Sequence, residues 1–118
     1  MASAGSAARF FKVCPRLFYT SKASKRERNA GCEGMENRHP TVKSLSLMRY
    51  LITLITPPGG KVMDMFMGSG STGVACVELG YSFVGIEMDA EYIEIAKNRI
   101  AHAEAQKQPS LFETAQPV

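Results

Sequence analysis

The sequence predicts an α/β fold built on one β-α-β unit with a leading helix and an incomplete sheet. Three observations carry that expectation. A short apolar strand runs into a glycine-rich turn, then a helix, then a second strand. An acid, Glu87, stands at the carboxyl end of that second strand. The sequence has 118 residues, too few for a doubly wound sheet of normal size.

Each element has its own signal. Ser44 is expected to cap the leading helix, with Leu47, Met48, Leu51, Leu54 and Ile55 along its apolar stripe. Pro57-Pro58-Gly59-Gly60 stops that helix. Lys61–Asp64 reads as the first strand and Phe66–Ser71 as the glycine-rich turn. Thr72–Leu79 forms the second helix, closed by Gly80. Tyr81–Glu87 is the second strand. Asp89 caps a third helix, whose inner face carries Tyr92, Ala96, Ile100 and Ala103. Ahead of Ser44, residues 21–43 are polar, basic and punctuated by glycine, which predicts a long loop. Arg16–Thr20 reads as a short strand. The division expected is a basic, loop-rich front over 1–43, a ligand-binding α/β unit over 44–103 and a flexible tail over 104–118.

Composition narrows the class. Hydrophobic residues make up 45% and charged residues 21%, which excludes a wholly disordered chain. The run Leu47–Ile55 is too short for a membrane span and contains Arg49 and Thr53, so no membrane partner is expected. Cys14, Cys32 and Cys76 are odd in number and form no C-x-x-C pair, which argues against a disulfide framework and against a zinc site. The net charge of +3 conceals an asymmetry: residues 1–50 hold ten bases and three acids, and residues 51–118 hold four bases and eight acids. A basic front suggests a polyanionic partner, and a solvated arm is the alternative. The acid-free, basic stretch 1–26 also has the composition of an organellar transit peptide.

The glycine turn is the most informative segment. Gly68, Gly70 and Gly73 fit G-x-G-x-x-G, follow a strand and open a helix. Such a turn lets a ligand approach the backbone, and the helix start offers free N–H groups. Glu87, nineteen positions after Gly68, can accept hydrogen bonds from both hydroxyls of a ribose. Asp64 then discriminates between ribose cofactors. A dinucleotide would bring a pyrophosphate near this carboxylate, and two negative groups about 5 Å apart repel by several kcal/mol at an intermediate dielectric. S-adenosyl-L-methionine carries no phosphate and presents a sulfonium and an ammonium, which Asp64 would welcome. Phe66 is either an apolar wall for this ligand or part of the core.

At Asp64-Met65-Phe66-Met67-Gly68-Ser69-Gly70-Ser71-Thr72-Gly73 the sequence resembles the D-P-F-x-G-S-G-[ST]-T turn of bacterial and phage DNA amino-methyltransferases, the N6-adenine and N4-cytosine enzymes. His39-Pro40-Thr41-Val42-Lys43 resembles their H-P-T-x-K-P segment, and Phe83–Glu87 and Tyr92–Ala96 resemble their closing stretch. Gly5–Phe11 and Lys22–Asn29 resemble the family as well, so the likeness covers nearly all of residues 5–103. It implies a partial Rossmann-like, S-adenosylmethionine-dependent methyltransferase fold. It implies a cofactor site made of Asp64, Phe66, Gly68, Ser69, Gly70, Ser71 and Glu87, closed by His39, Thr41 and Lys43. It implies double-stranded DNA as partner, with phosphates neutralised by Lys22, Lys25, Arg26 and Arg28, and a cytoplasmic setting in a bacterium or phage-bearing cell. Taken alone, Lys43 is a surface charge and His39 a turn residue. Met65 and Ser44 stand where the family has proline, which touches loop rigidity and leaves Ser44 to cap the helix.

The family's catalytic motif, [DNS]-P-P-[YFW], has no counterpart in these residues. Pro57-Pro58 is flanked by Thr56 and Gly59 and reads as a helix stop. In the permuted members the motif precedes H-P-T-x-K, so the chain is expected to begin after it. The chain is then the carboxyl-terminal, cofactor-binding part of such an enzyme, binding cofactor weakly or not at all and inactive on DNA alone. It would pair with a complementary catalytic half or self-associate through an unpaired strand edge. A truncated inactive remnant, a small non-catalytic nucleic-acid-binding protein and a dinucleotide-binding fragment are the competing readings.

Overall fold

A computed structural model describes residues 20–107. The order of elements is α1 (Lys25–Asn29), α2 (Leu45–Ile55), β1 (Lys61–Asp64), α3 (Ser71–Leu79), β2 (Ser82–Gly85) and α4 (Ala90–Gln106). β1 and β2 are parallel, with Lys61 opposite Ser82 and Asp64 opposite Gly85. Parallel neighbours need a crossover, and α3 supplies it. This is the β-α-β unit with a leading helix that the sequence predicts, in a two-stranded sheet.

The local chemistry explains the boundaries. The Ser44 hydroxyl accepts from the Leu47 N–H at 3.3 Å, and the Glu27 carboxylate accepts from the Leu45 N–H at 2.9 Å, so two of the free donors at the start of α2 are satisfied. Its last turn closes by Thr56 N–H to Ile52 carbonyl, and Pro57-Pro58 prevents continuation. Asp89 caps α4 by accepting from the N–H groups of Glu91 and Tyr92.

Several expectations shift. Residues 21–43 are not wholly loop: Ser24 accepts from the Glu27 N–H and nucleates the five-residue α1. α3 starts one residue earlier than expected, at Ser71. β2 is shorter than Tyr81–Glu87, although Ile86 N–H still donates to Asp64 carbonyl at 2.9 Å. α4 continues to Gln106, beyond the expected tail boundary at 104. The strand expected over 16–20 lies outside the described residues except for Thr20, which is in no strand, and so do Cys14 and residues 108–118.

The core forms around α3. Ala75, Cys76 and Ile52 of α2 are buried together against Met48, Val62, Tyr81 and Phe83. On the other flank Val74 meets Leu45 and Ala103, with Val77 and Ile100 packed beside them. α3 therefore touches α2, α4 and one face of the sheet, which explains why its whole surface from Ser71 to Cys76 is buried. The opposite face of the sheet is open: Met63 is 61% exposed, and Val84 and Ile86 are exposed beside it. None of the helices described is long and apolar enough to cross a membrane.

Burial raises the Cys76 thiol to about 11, with the nearby Asp64 charge adding to the effect. At pH 8 it remains a thiol, and the side chain is enclosed. Alkylation of the folded chain with iodoacetamide at pH 8, followed by peptide mass spectrometry, is expected to leave Cys76 unmodified; rapid labelling there would contradict this packing.

Candidate functional site

A cleft of about 310 Å³ opens where β1 runs into the glycine turn. His39, Thr41, Val42 and Lys43 line it together with Leu47, Met48 and Leu51 of α2. Asp64, Phe66, Met67, Gly68, Ser69, Ser71 and Thr72 complete the wall. Eight of the ten residues expected to hold the cofactor therefore border one cavity; Gly70 and Glu87 do not line it. A larger cavity of about 410 Å³, bordered by Leu45, Val74, Arg99 and Ala103, contains none of the ten. We place the site in the smaller one because the turn, the strand end and the helix start converge there.

Asp64 holds the turn closed. One carboxylate oxygen accepts from the Phe66 N–H at 3.0 Å and the other from the Thr72 hydroxyl at 2.6 Å. A carboxylate offers about four lone-pair sites, so two remain for a ligand donor. Phe66 is 86% exposed, which removes the core alternative and leaves it as a free apolar wall at the mouth of the cleft.

Gly68 sits at φ +54°, and a Cβ there would lie 2.7 Å from His39 Nε2. His39 is thus packed over the turn, tilted against Tyr92 at 4.6 Å between ring centroids. Its Nδ1 accepts from the Thr41 N–H at 3.2 Å, which fixes the ring in place. Behind it, Arg28 donates to the carbonyls of Asn37 and His39 at 3.0 and 2.8 Å. Half-buried, Arg28 braces the 37–39 segment, whereas Lys22, Lys25 and Arg26 are exposed.

Glu87 reaches the turn. One carboxylate oxygen accepts from the Gly68 N–H at 2.8 Å, and the other from the N–H groups of Met88 and Asp89 at 2.9 and 3.0 Å. These bonds, that of Asp89 first, hold its pKa below the ordinary carboxylate value. Their contribution to stability is thus present above the ordinary carboxylate range and is lost as pH falls through the depressed value.

The hydroxyls of the two serines of the turn are held from behind. Arg99 Nη1 donates to the Ser69 carbonyl at 2.8 Å and to the hydroxyls of Ser69 and Ser71, each at 3.1 Å. Its Nη2 reaches the Glu27 carbonyl at 3.5 Å. Ser69 and Ser71 border the cleft with their hydroxyls already committed to Arg99. Gly70, at φ +83°, turns its α-carbon toward Ala96 of α4 and serves packing. Arg99 is 2% exposed, and burial lowers its pKa. A buried cation at the start of α3 opposes the helix dipole, so the hydrogen bonds to the turn must offset that cost. Sequence reasoning missed this residue. A signal existed: Tyr92, Ala96, Arg99 and Ala103 follow helical spacing, which puts one base inside an apolar stripe.

Fold and cleft together define a Rossmann-like unit with a cleft at its glycine turn and acids at or just beyond the ends of both strands. Residues 9–98 match the DNA methylase family of N6 and N4 enzymes, and the chain belongs to that family. It is 43% identical over 72 residues to the type II methyltransferase M.SmaI of Serratia marcescens, covering 61% of this chain and 25% of that one. It is 40% identical over 68 residues to M2.DpnII of Streptococcus pneumoniae, covering 58% and 25%. Among solved structures, the M1.HpyAVI–SAM complex is 52% identical and superposes with a TM-score of 0.51, covering 52% of this chain and 31% of that one. The chain therefore spans about a quarter of the length of these curated relatives.

Proposed function

We propose that these residues form the S-adenosyl-L-methionine-binding portion of a site-specific DNA N-methyltransferase acting on adenine N6 or cytosine N4. The observation that carries this reading is the placement of Asp64, Phe66, Gly68, His39, Thr41 and Lys43 around one cleft, with the Glu87 carboxylate on the Gly68 amide. The volume suits a small-molecule ligand. The free lone pairs of Asp64 fit an ammonium, Phe66 fits an apolar or sulfonium surface, and Glu87 fits a ribose. When bound, the cofactor supplies an electrophilic methyl group. The chain's own residues bind and orient it: His39 covers the turn, Arg99 fixes its serines, and Lys43 adds positive charge at the rim.

On this reading, these residues hold the cofactor but provide no group to grip the amine of a flipped base, because Pro57-Pro58 serves only to end α2. The residues divide into a DNA-facing front, the cofactor unit and a terminal tail. Lys22, Lys25 and Arg26 neutralise phosphates of double-stranded DNA in a bacterial or phage-derived cytoplasmic setting. The open sheet face of Met63, Val84 and Ile86 is covered by a complementary catalytic segment or by a second copy.

Amide-resolved NMR titration tests the cofactor assignment even at weak affinity. S-adenosylmethionine is expected to shift the amides of Met67, Gly68, Ser69 and Glu87, and Asp64→Ala to weaken that response about tenfold or more, the loss of a charge-assisted contact of about 1.5–3 kcal/mol. NAD at equal concentration is expected to leave those amides in place, and radiolabelled methyl donor to leave DNA unlabelled. A stronger response to NAD, or label in the DNA, would overturn this reading.

A further inference from the structure

A second cleft, of about 330 Å³, lies beside the first and shares with it Thr41, Val42, Lys43 and Leu47. Its lining carries three cations, Lys22, Arg28 and Lys43, and no carboxylate. Thr20, Ser21 and Thr41 add hydroxyl groups. Arg28 Nη2 is committed to the carbonyls of Asn37 and His39, so its charge is fixed in the wall. Lys22 and Lys43 are exposed and form no ion pair among the described residues. Three cations border one cavity with no carboxylate among its lining, so an anion seated there meets only positive charge.

We propose that this cleft seats a DNA backbone phosphate, held by Lys22 and Lys43 across the Thr41–Lys43 segment from the methyl donor. The proposal rests on the assignment of the chain to a DNA methyltransferase, and adds a discrete subsite to it. The volume amounts to about eleven waters at ~30 Å³ each, which accommodates a phosphodiester with its flanking sugars. Lys25 and Arg26 of α1, three and four positions along the chain from Lys22, are exposed as well, so further cations are available to the successive phosphates of a strand. A free phosphate ion needs no such further cations. The shared wall has a chemical consequence: Thr41–Lys43 touches both ligands, so the phosphate fixes the strand relative to the cofactor.

The test is fluorescence anisotropy of the full chain with a labelled mixed-sequence duplex, from about 50 to about 200 mM salt. Lys22→Gln and Lys43→Gln are each expected to flatten the slope of log K against log salt by about 0.9, and to weaken binding equally for duplexes of different sequence. Lys61→Gln, at the start of β1, is the control for net charge and is expected to leave the slope unchanged. S-adenosylmethionine binding by Lys22→Gln, followed by NMR, is expected to match the parent. Five results overturn the proposal. The first is an unchanged slope in Lys22→Gln while the parent binds DNA. The second is an equal effect from Lys61→Gln, which would indicate diffuse charge. The third is loss of cofactor response in Lys22→Gln with the DNA slope intact, which would assign the cleft to the cofactor's carboxylate. Inorganic phosphate that displaces the duplex beyond its ionic-strength effect would assign it to the free ion. A parent chain that binds cofactor but no DNA overturns the subsite and leaves the cofactor assignment standing.

Discussion

Gly70→Ala is expected to destabilise the chain by about 2–5 kcal/mol. Two independent costs add. The residue sits at φ +83° and ψ 22°, a left-handed conformation that costs an L side chain about 1–2 kcal/mol. A Cβ there would also lie 2.8 Å from Ala96 Cβ and 3.0 Å from Ala96 Cα, so the α3 start and the α4 backbone must separate. Overpacking of that kind costs about 1–3 kcal/mol. Neither relief route is open, because Ala75, Cys76 and Ala96 are fully buried on either side. Urea denaturation followed by circular dichroism measures the loss. Gly68→Ala makes the informative comparison. The nearest atoms to its Cβ belong to the His39 side chain and not to backbone, so the ring can yield at the cost of its bond from the Thr41 N–H, and stability falls less while the cleft is partly filled. A Gly70→Ala variant within about 1 kcal/mol of the parent would refute the close packing of the turn on α4.

The second large effect is expected at Arg99. Arg99→Ala removes charge-assisted bonds to Ser69 and Ser71 and leaves a void under the turn. The lost bonds, about 1.5–3 kcal/mol each, and the cavity left by a long buried side chain are partly offset by removal of a desolvated cation, so a net loss of about 3 kcal/mol is expected. Arg99→Met refills much of the space and removes a desolvated cation, so part of that stability returns. The cofactor response is not expected to return with it, since methionine cannot hold the Ser69 carbonyl or the two hydroxyls. Thermal unfolding and NMR titration with S-adenosylmethionine therefore separate for this pair. If Arg99→Met kept the parent's cofactor-induced shifts, Arg99 would be a space-filling residue and not a positioning one.

These two positions mark how far the sequence could be read. The elements of the α/β unit were legible because each has a local cause: the Ser44 and Asp89 caps, the Pro57-Pro58 stop, and Gly80 closing α3 at φ +82°. The place of the cleft was legible because Asp64 and Gly68 lie at a strand end and in a turn, where spacing in sequence fixes spacing in space. Three features were not. Which way the Ser69 and Ser71 hydroxyls point depends on a base thirty residues away in sequence, on another helix. Whether Arg28 faces solvent or a pair of carbonyls depends on how the 37–39 segment folds back. The short α1 went unseen because five residues carry no periodicity, only a cap and an acid. The first two misses concern polar side chains whose partners are distant in sequence, where neither hydropathy nor motif spacing holds information.

The three hydrogen bonds of Glu87 have a consequence for how the proposed ligand would be received. The carboxylate that is to meet a ribose is already aligned by the Gly68, Met88 and Asp89 amides. The side chain therefore has little rotamer freedom left to lose at the moment of binding. About one of its lone-pair sites remains free, so a diol making two bonds must displace at least one amide. The Gly68 amide is the one that borders the cleft. Arrival of the sugar would therefore release that N–H toward the ligand, passing one donor from the protein's own latch to its guest.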